Sequence, residues 1–476
     1  MAFVKFGNYI PDLARLYANG LTRADNLVLR GTAYNPIPTP SAIISLPGPA
    51  KAGMWFDSTS GDTYGIIVTA GGIYRVSRTA AVPLLDGLNY DTASMVQYGD
   101  IAIVVSPSSD TLYFTLGSST PPQPLPGAPR GRMVAVVREF VFIGDTVDED
   151  GPRLQRVRWC GINNPMSWTP DPATLADFQD IAGPGGRVTG IVGGEYGVIF
   201  QERSIWRATF VGAPLSFQFD EVERGRGCLA TGSLIDVGNM PDGGRGIFYI
   251  AEDGFYRFTG QTSIPISQNM CSLEMINDLD KTRLDEVVTG WDATGHTVWW
   301  SIHSLSEGRV SYIYNYTENG WTRAPSVKAT WFGSTSQPVV SLDDLPSLGY
   351  TNLDTMDVSL DDPIFSGGVK NFSLVDEVGN LATFTGSPMD AIVVTSENLL
   401  TDEMATWLSQ VRPVLEGGGW GLSIGHRLNQ TDPVVWTPEV NPDYDGAAKV
   451  RVHTRFIQAR VRFYGDWSEA QGLIFN

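Results

Sequence analysis

One short hairpin recurs along this chain and restricts its possible folds more than any other feature. An apolar strand of three or four residues meets a polar or glycine turn, and the chain returns as apolar–aromatic–Arg–apolar. The clearest copies are at residues 66–76, 198–208 and 247–258. Gly-Gly and Asp-Gly at two of the turns supply the positive φ that tight hairpins need. Because side chains alternate along a strand, the aromatic residue and its arginine point to opposite faces of a sheet. The pattern predicts antiparallel β-structure.

Looser copies lie between and after these hairpins, and each copy carries an aromatic residue at the same place. Successive aromatics are 39, 46, 47, 50 and 56 residues apart, by subtraction of their positions. A four-stranded propeller blade takes ~40–50 residues, and a single blade buries both faces only by packing against neighbours. We therefore predict an all-β chain with a six-bladed β-propeller over residues 51–326. An array of β-sandwiches is the alternative fold. The blade count would be seven if a strand from elsewhere in the chain completed a further blade. The six aromatics are Tyr74, Tyr113, Trp159, Trp206, Tyr256 and Tyr312.

The regions on either side of the predicted propeller have a different character. Residues 1–50 are predicted to form an N-terminal extended arm, with a short helix over Pro11–Tyr17 and a proline-rich linker over residues 32–50. Residues 327–476 alternate apolar and polar positions without the blade motif, which predicts a C-terminal β-sandwich or tube-forming domain. A second short helix is predicted from Ser272, with that serine as its cap.

The charge balance limits the classes of partner. The chain has 476 residues, with 33 Lys and Arg against 52 Asp and Glu, and a formal net charge of −19. A nucleic-acid binder needs a basic patch to neutralise phosphates, and no run of Lys or Arg is visible. The acidity suits either solubility or a surface that does not hold passing DNA. No apolar run is long enough for a membrane-spanning helix, and the first residues do not have the apolar core of a secretory signal.

Residues capable of chemistry are few. The three cysteines have no CxxC spacing, which predicts buried free thiols made in a reducing compartment. None of the four histidines stands in a zinc-binding motif, and they are interpreted as satisfied or exposed side chains. These residues are Cys160, Cys228, Cys271, His296, His303, His426 and His453.

Three further segments resemble binding motifs and fail on inspection. Residues 145–151 look like a calcium loop, but alignment on Gly151 puts Thr146 and Val157 where acidic ligands belong, so an exposed acidic turn is predicted. The glycine runs at 183–186 and 417–419 do not match a phosphate-binding motif and are interpreted as turns. We predict no catalytic, cofactor-binding or metal-binding residue and no cofactor, and therefore no enzyme.

The order of several short motifs resembles the tail hub, or nozzle, proteins of short-tailed phages, which include the packaged DNA stabilization protein family. The resemblance covers most of residues 1–325 and is weak in the C-terminal region. The matching segments are Asn8–Asp12, Arg130–Arg132, Glu139–Ile143, Asn164–Trp168, Asp180–Ile181, Ile191–Gly194, Tyr196–Phe200, Ser204–Arg207, Pro265–Ser267, Tyr314–Tyr316 and Asn319–Trp321.

This resemblance implies a structural virion protein without catalytic residues. The expected assembly is a hexameric ring distal to the portal and adaptor proteins, assembled in the host cytoplasm as part of the tail. The ring would extend the DNA channel, retain the packaged genome, let double-stranded DNA pass without specific binding, and dock tail fibres or spikes. A wall that does not grip phosphates implies a net acidic lumen, for which Asp361, Asp362 and the loop from Asp145 to Asp150 are candidates.

Two other functions remain open at this stage. One is a secreted propeller-type carbohydrate-active enzyme or carbohydrate-binding protein, although the Ser-x-Asp-x-Gly repeats of propeller sialidases have no match here. Distant carboxylates could still converge in the fold. The other is a soluble interaction propeller, although WD repeats are absent.

Overall fold

The computed structural model describes residues 2–14, 16, 20–57, 63–77, 80–336, 370–399 and 405–476. These residues are almost entirely β-structure. Helices in the described part of the chain are limited to α1 (Ser272–Asp278) and two short 3₁₀ helices, η1 (Thr231–Ser233) and η2 (Lys281–Glu286). The helix predicted from Ser272 is therefore confirmed.

Five strands occupy the N-terminal region, where the sequence suggested an extended arm. The proline-rich stretch 32–50 is not a linker, because two strands within it pair into sheets. Prolines fit there since β5 is the edge strand of its sheet, where a missing N–H leaves no bond unmade. The strands are β1 (Ala2–Lys5), β2 (Leu21–Asp25), β3 (Leu27–Arg30), β4 (Ala33–Pro36) and β5 (Pro38–Ser45).

The predicted helix over Pro11–Tyr17 is wrong in its described part. Pro11 to Leu13 form a turn, and residues 15 and 17–19 lie outside the described chain. The backbone N–H of Asp12 donates to the carbonyl of Met270 at 3.0 Å, so this segment is held by a distant partner and not by its own helix.

Six consecutive four-stranded antiparallel units follow, and they form the six-bladed β-propeller arrangement that the sequence predicts. The first three blades are β6 (Ala50–Asp57), β7 (Thr63–Thr69), β8 (Gly72–Val76) and β9 (Ala81–Asp86); β10 (Ser94–Tyr98), β11 (Ile101–Val105), β12 (Leu112–Thr115) and β13 (Gln123–Pro124); and β14 (Arg130–Val137), β15 (Phe140–Asp148), β16 (Gly151–Trp159) and β17 (Asp177–Asp180). The next three are β18 (Val188–Val192), β19 (Gly197–Gln201), β20 (Ser204–Gly212) and β21 (Ser216–Arg224); β22 (Ile235–Asn239), β23 (Arg245–Ala251), β24 (Gly254–Phe258) and β25 (Ser263–Pro265); and β26 (Val288–Asp292), β27 (Thr297–Ser304), β28 (Gly308–Asn315) and β29 (Gly320–Ala324).

The repeat found in the sequence marks one fixed place in each blade. All six aromatics lie on the third strand of their blade, namely β8, β12, β16, β20, β24 and β28. The blade motif is therefore a signature of the second hairpin of the meander, formed by its second and third strands.

Within the second unit, the second and third blades bury both faces of their sheets against the neighbouring blades. On β11, Ala102 and Val104 pack with the first blade, whereas Ile103 and Val105 pack with the third. The same alternation recurs on β15. Because fully burying a Val or Ile stabilises by roughly 1.5–3 kcal/mol, this two-sided packing is a main source of stability in this region.

The described chain divides into two compact units. The first unit contains Met1–Ser41, Leu229–Ala329 and Phe384–Asn476, and the second contains Ala42–Cys228 and Thr330–Thr383. The N-terminal strands up to β4 thus share a unit with the last two blades and the C-terminal strands.

The remaining strands extend the architecture beyond the six blades. A further four-stranded sheet has the order β30-β31-β32-β5, and the sixth blade continues into a curled fourteen-stranded sheet in the order β26-β27-β28-β29-β2-β33-β38-β35-β36. The strands are β30 (Ala329–Ser336), β31 (Lys370–Asp376), β32 (Asn380–Pro388), β33 (Ala391–Thr395), β34 (Asn398–Leu399), β35 (Thr406–Arg427), β36 (Val435–Trp436), β37 (Ala448–Thr454) and β38 (Phe456–Phe475).

The long strand β35 folds back on itself. Its first residue, Thr406, pairs with Thr454, and the hydroxyl of Thr454 donates to the carbonyl of Arg427 at the other end of the strand, at 2.8 Å. The bend is at Gly417 and Gly418, which have φ of 72° and 65°. The strands predicted as a C-terminal sandwich are therefore one curled sheet whose halves enclose a shared core.

Candidate functional site

A group of charged residues in the first unit surrounds Arg323, which is buried on β29. Its side chain is 8% exposed and lies 3.3 Å from a carboxylate oxygen of Asp25 and 3.3 Å from one of Glu274. A third carboxylate, that of Glu307, accepts from the same guanidinium at 2.8 Å. Arginine presents a rigid fork of donors, so it can hold several carboxylates at once. We call Tyr9, Asp12, Asp25, Glu274, Glu307, Tyr312 and Arg323 the Arg323 cluster.

The N-terminal segment supplies three members of the Arg323 cluster. Asp25 lies opposite Arg323 in the parallel pair of β2 and β29. Tyr9 donates its hydroxyl to the carboxylate of Glu274. The carboxylate of Asp12 accepts from the backbone N–H groups of Leu273 and Glu274 at 2.7 and 2.9 Å. Tyr9, Asp12 and Asp25 thereby connect the N-terminal segment to the sixth blade and to helix α1.

Asp12 also replaces the helix cap that the sequence predicted. The N-cap position of α1 is Cys271, not Ser272, and no side chain of the helix segment caps it. A carboxylate on the second and third N–H groups satisfies donors that a helix leaves unpaired, and it favours the positive end of the helix dipole.

Burial shifts the pKa of Glu274, Tyr9 and Tyr312 in the Arg323 cluster. It raises the pKa of Glu274, while the Tyr9 hydrogen bond and the charge of Arg323 act in the opposite direction. It likewise raises the pKa of Tyr9 and Tyr312. The hydroxyl of Tyr312 has no hydrogen-bond partner among the described residues. The arrangement is chemically a clamp, because its acids are held by an arginine and by backbone donors.

A second buried group of the first unit lies on η2 and the sixth blade. The Nε2 atom of His303 is 2.9 Å from the carboxylate of Glu286, which also lies 3.2 Å from Arg309. Burial and the nearby charges of Arg309 and Arg283 lower the pKa of His303. His303 is therefore a satisfied core histidine, in agreement with its sequence interpretation.

The predicted exposed acidic loop from Asp145 to Asp150 is wrong for its first half. Asp145 is buried at φ 53° in a bulge of β15, and Arg132 and Arg187 both donate to its carboxylate. Asp148 ends the strand and pairs with Arg156 at 2.7 Å. Bulge geometry turns the Asp145 side chain inward, so it is no candidate for an acidic lining. Asp361 and Asp362 lie outside the described residues.

The cysteines and glycine runs discussed in the sequence analysis lie in the core and in turns of the fold. Cys160, Cys228 and Cys271 are buried and none of them forms a disulfide, as predicted. The glycines at 183–186 lie in a turn, and those at 417–419 in the bend of β35. Within the described ranges, no group of three or more His, Cys, Asp or Glu side chains has the arrangement of a metal site. Helices long and apolar enough to cross a membrane are likewise not found in that part of the chain.

The basic residues of the C-terminal sheet were not predicted from the sequence, because they do not form a contiguous run of Lys and Arg. Lys449, Arg451 and His453 alternate instead with buried residues along β37. Alternation places all three side chains on the exposed face of the strand. The alternating basic pattern was the available signal.

Comparisons with known proteins concern the fold alone. No family model matches the sequence, and no curated protein is significantly similar to it. Among solved structures, the computationally designed protein Ika8 has a TM-score of 0.38 and 9% identity, covering 72% of this chain and 98% of its own. The β-propeller domain of Cps50 (Swd1) from Myceliophteria thermophila has a TM-score of 0.40 and 9% identity, covering 72% of this chain and 99% of its own.

Proposed function

We propose that this chain is a structural protein of a phage tail. Six copies form a ring at the distal hub or nozzle, which extends the DNA channel from the portal and adaptor proteins. The ring retains the packaged DNA, lets it pass during ejection, and offers docking surface to tail fibres or spikes. The ordered motifs that resemble the nozzle proteins support this proposal, and so does a propeller whose sixth blade continues into a curled sheet.

The single observation that carries the structural role is the use of buried charge. Asp25, Asp145 and Glu397 are each less than 5% exposed, and each is held by at least one arginine. A carboxylate that is buried and bonded to an arginine is poorly placed to contact a substrate, since its oxygens face protein donors and not solvent. Such pairs fix the positions of strands, which is what a load-carrying ring needs.

The net charge supports the same role. Each Lys or Arg that contacts a phosphate strengthens DNA binding through counterion release. A ring of chains that each have a net charge of −19 binds DNA weakly, so the DNA can leave quickly. We therefore propose that the surface facing the channel is net acidic and that DNA passes without specific binding.

An amber codon in the gene for this chain tests the proposal. We expect particles made without the chain to lose their DNA, measured as genome that becomes accessible to nuclease, and we expect the wild-type chain supplied in trans to restore retention. Full infectious particles lacking the chain would contradict the proposal. Hydrolysis of glycans by the purified chain would replace it with the carbohydrate-active alternative.

A further inference from the structure

One outer face of the curled sheet carries exposed basic and aromatic side chains. Four stretches form this face: β1, the first half of β35, β37, and the end of β38. Direct cross-strand neighbours share a face, so Phe3, Ile474 and Arg412 form one row across the three strands to which they belong. We call this surface the basic face. Its exposed basic and aromatic residues are Phe3, Lys5, Trp407, Arg412, Lys449, Arg451 and His453.

The aromatic members of the basic face are unusually exposed. Trp407 is 68% exposed and Phe3 is 55% exposed, whereas Leu408 and Val411 on the opposite side of β35 and Val450 on the opposite side of β37 are buried. The Trp407 ring lies 5.1 Å from the ring of its cross-strand partner His453. Aromatic residues and arginine are the types enriched where proteins bind one another.

The charge of the basic face is opposite to that of the rest of the chain. Residues 2–5, 406–414, 448–454 and 471–475 contain four Lys or Arg and no Asp or Glu. Since the whole chain has a net charge of −19, the remainder carries −19 − 4 = −23. Among the described residues, Lys5 and Arg451 form no ion pair, whereas Lys449 lies 2.6 Å from Asp443.

We propose that the basic face binds an acidic surface of a second copy of this chain. This inference rests on the proposed ring, because a ring is built from head-to-tail contacts in which one surface complements a different one. The chain itself supplies both signs of charge. A nucleic acid is the less favoured occupant, since the remaining charge of −23 repels a polyanion at long range.

Carbodiimide cross-linking between isotopically heavy and light copies of the chain tests the contact between two copies. The reagent joins a lysine amine directly to a carboxylate, so only groups in contact react. Heavy and light chains carrying Arg451→Lys are mixed at low salt, cross-linked, and mapped by mass spectrometry. We expect peptides that join Lys5 or position 451 of one copy to Asp or Glu of the other. Cross-links found only within a copy, or none, would overturn the inference.

Charge reversal gives a second and independent readout. The double variant Lys5→Glu with Arg451→Glu should weaken self-association by about tenfold or more, measured by sedimentation velocity, and high salt should weaken the wild-type contact as well. The matched control is Arg30→Glu with Arg224→Glu, which changes the charge equally at exposed positions that are not members of the basic face. Equal behaviour of the two double variants would contradict the proposal.

Nucleic acid binding is measured beside these experiments with labelled single- and double-stranded oligonucleotides. Binding that depends on Lys5 and Arg451, without cross-links between copies, would assign the basic face to nucleic acid and overturn our proposal. Virions that keep their tail ring with the Lys5→Glu and Arg451→Glu variant would also overturn it, yet leave the proposed function standing. A chain absent from virions would refute the proposed function instead.

Discussion

Asp25 and Arg323 lie directly opposite each other in a parallel strand pair, with a carboxylate oxygen of one 3.3 Å from the guanidinium of the other, although 298 residues separate them in sequence. The pair joins the N-terminal segment to the sixth blade. Both side chains are at most 8% exposed. Breaking this ion pair should therefore lower the free energy of unfolding more than breaking any surface ion pair.

Replacing Arg323 by methionine should destabilise the protein by about 3 kcal/mol, because it removes a buried charge that pairs with Asp25 and Glu274 and leaves the buried Asp25 only the exposed Arg23 as a partner. Urea denaturation followed by tryptophan fluorescence measures the change. Arg224→Met is the control, since the side chain of Arg224 is 77% exposed and its pair is local. A loss at Arg323 no larger than at Arg224 would show that the Arg323 cluster does not hold the segment in place.

Asp12→Ala should cost about 1 kcal/mol, because it removes the acceptor for two N–H groups of helix α1. Hydrogen exchange should accelerate at the amides of Leu273 and Glu274. Asp12→Asn keeps an acceptor oxygen and should retain most of the protection. Unchanged exchange at both amides in Asp12→Ala would contradict the capping role.

The sequence predicted the parts of the fold that local patterns encode. The third strand of each blade was marked by its aromatic residue, and helix α1 by a serine and a short apolar run. The place of the N-terminal segment was not predictable, because β2 pairs with β29 and β33, far away in sequence, and leaves no local periodicity. Asp145 was misjudged because a bulge, and not the alternation of a strand, decides its direction.

Stability should fall as the pH drops from about 6.5, partly through His303. Its pKa is lowered in the folded protein, so below the ordinary histidine pKa the unfolded chain binds a proton that the folded chain does not. The loss continues down to the lowered folded pKa. His303→Gln should make the free energy of unfolding flatter across this range in urea titrations at several pH values. An equally steep profile in the variant would assign the dependence to other groups.

The three cysteines should resist alkylation in the folded protein. Burial raises the pKa of Cys160 to about 11 and that of Cys271 well above its ordinary value, which removes reactive thiolate at neutral pH. Mass spectrometry after iodoacetamide should find no modified cysteine in the native wild type and three after denaturation. Trp407→Cys, at an exposed position, should be labelled in the native state as a positive control. Rapid native labelling of Cys160 would contradict the packing between the second and third blades.

The bend in β35 should tolerate no side chain at Gly418. A Cβ there would lie 2.6 Å from the Cβ of Trp467, at a φ of 65°. Gly446 has a similar φ of 72° but open space around it, so it isolates the cost of backbone strain. We expect Gly446→Ala to cost about 1 kcal/mol and Gly418→Ala about 3 kcal/mol, measured by urea denaturation. Equal costs would mean that the curl of the sheet does not depend on this close approach.

Locating the chain in an intact particle by cryo-electron microscopy tests the proposed function most directly. We expect six copies at the distal end of a short tail, around the channel through which the DNA leaves. A reconstruction that places the chain elsewhere in the particle, or particles that do not contain it, would contradict the account.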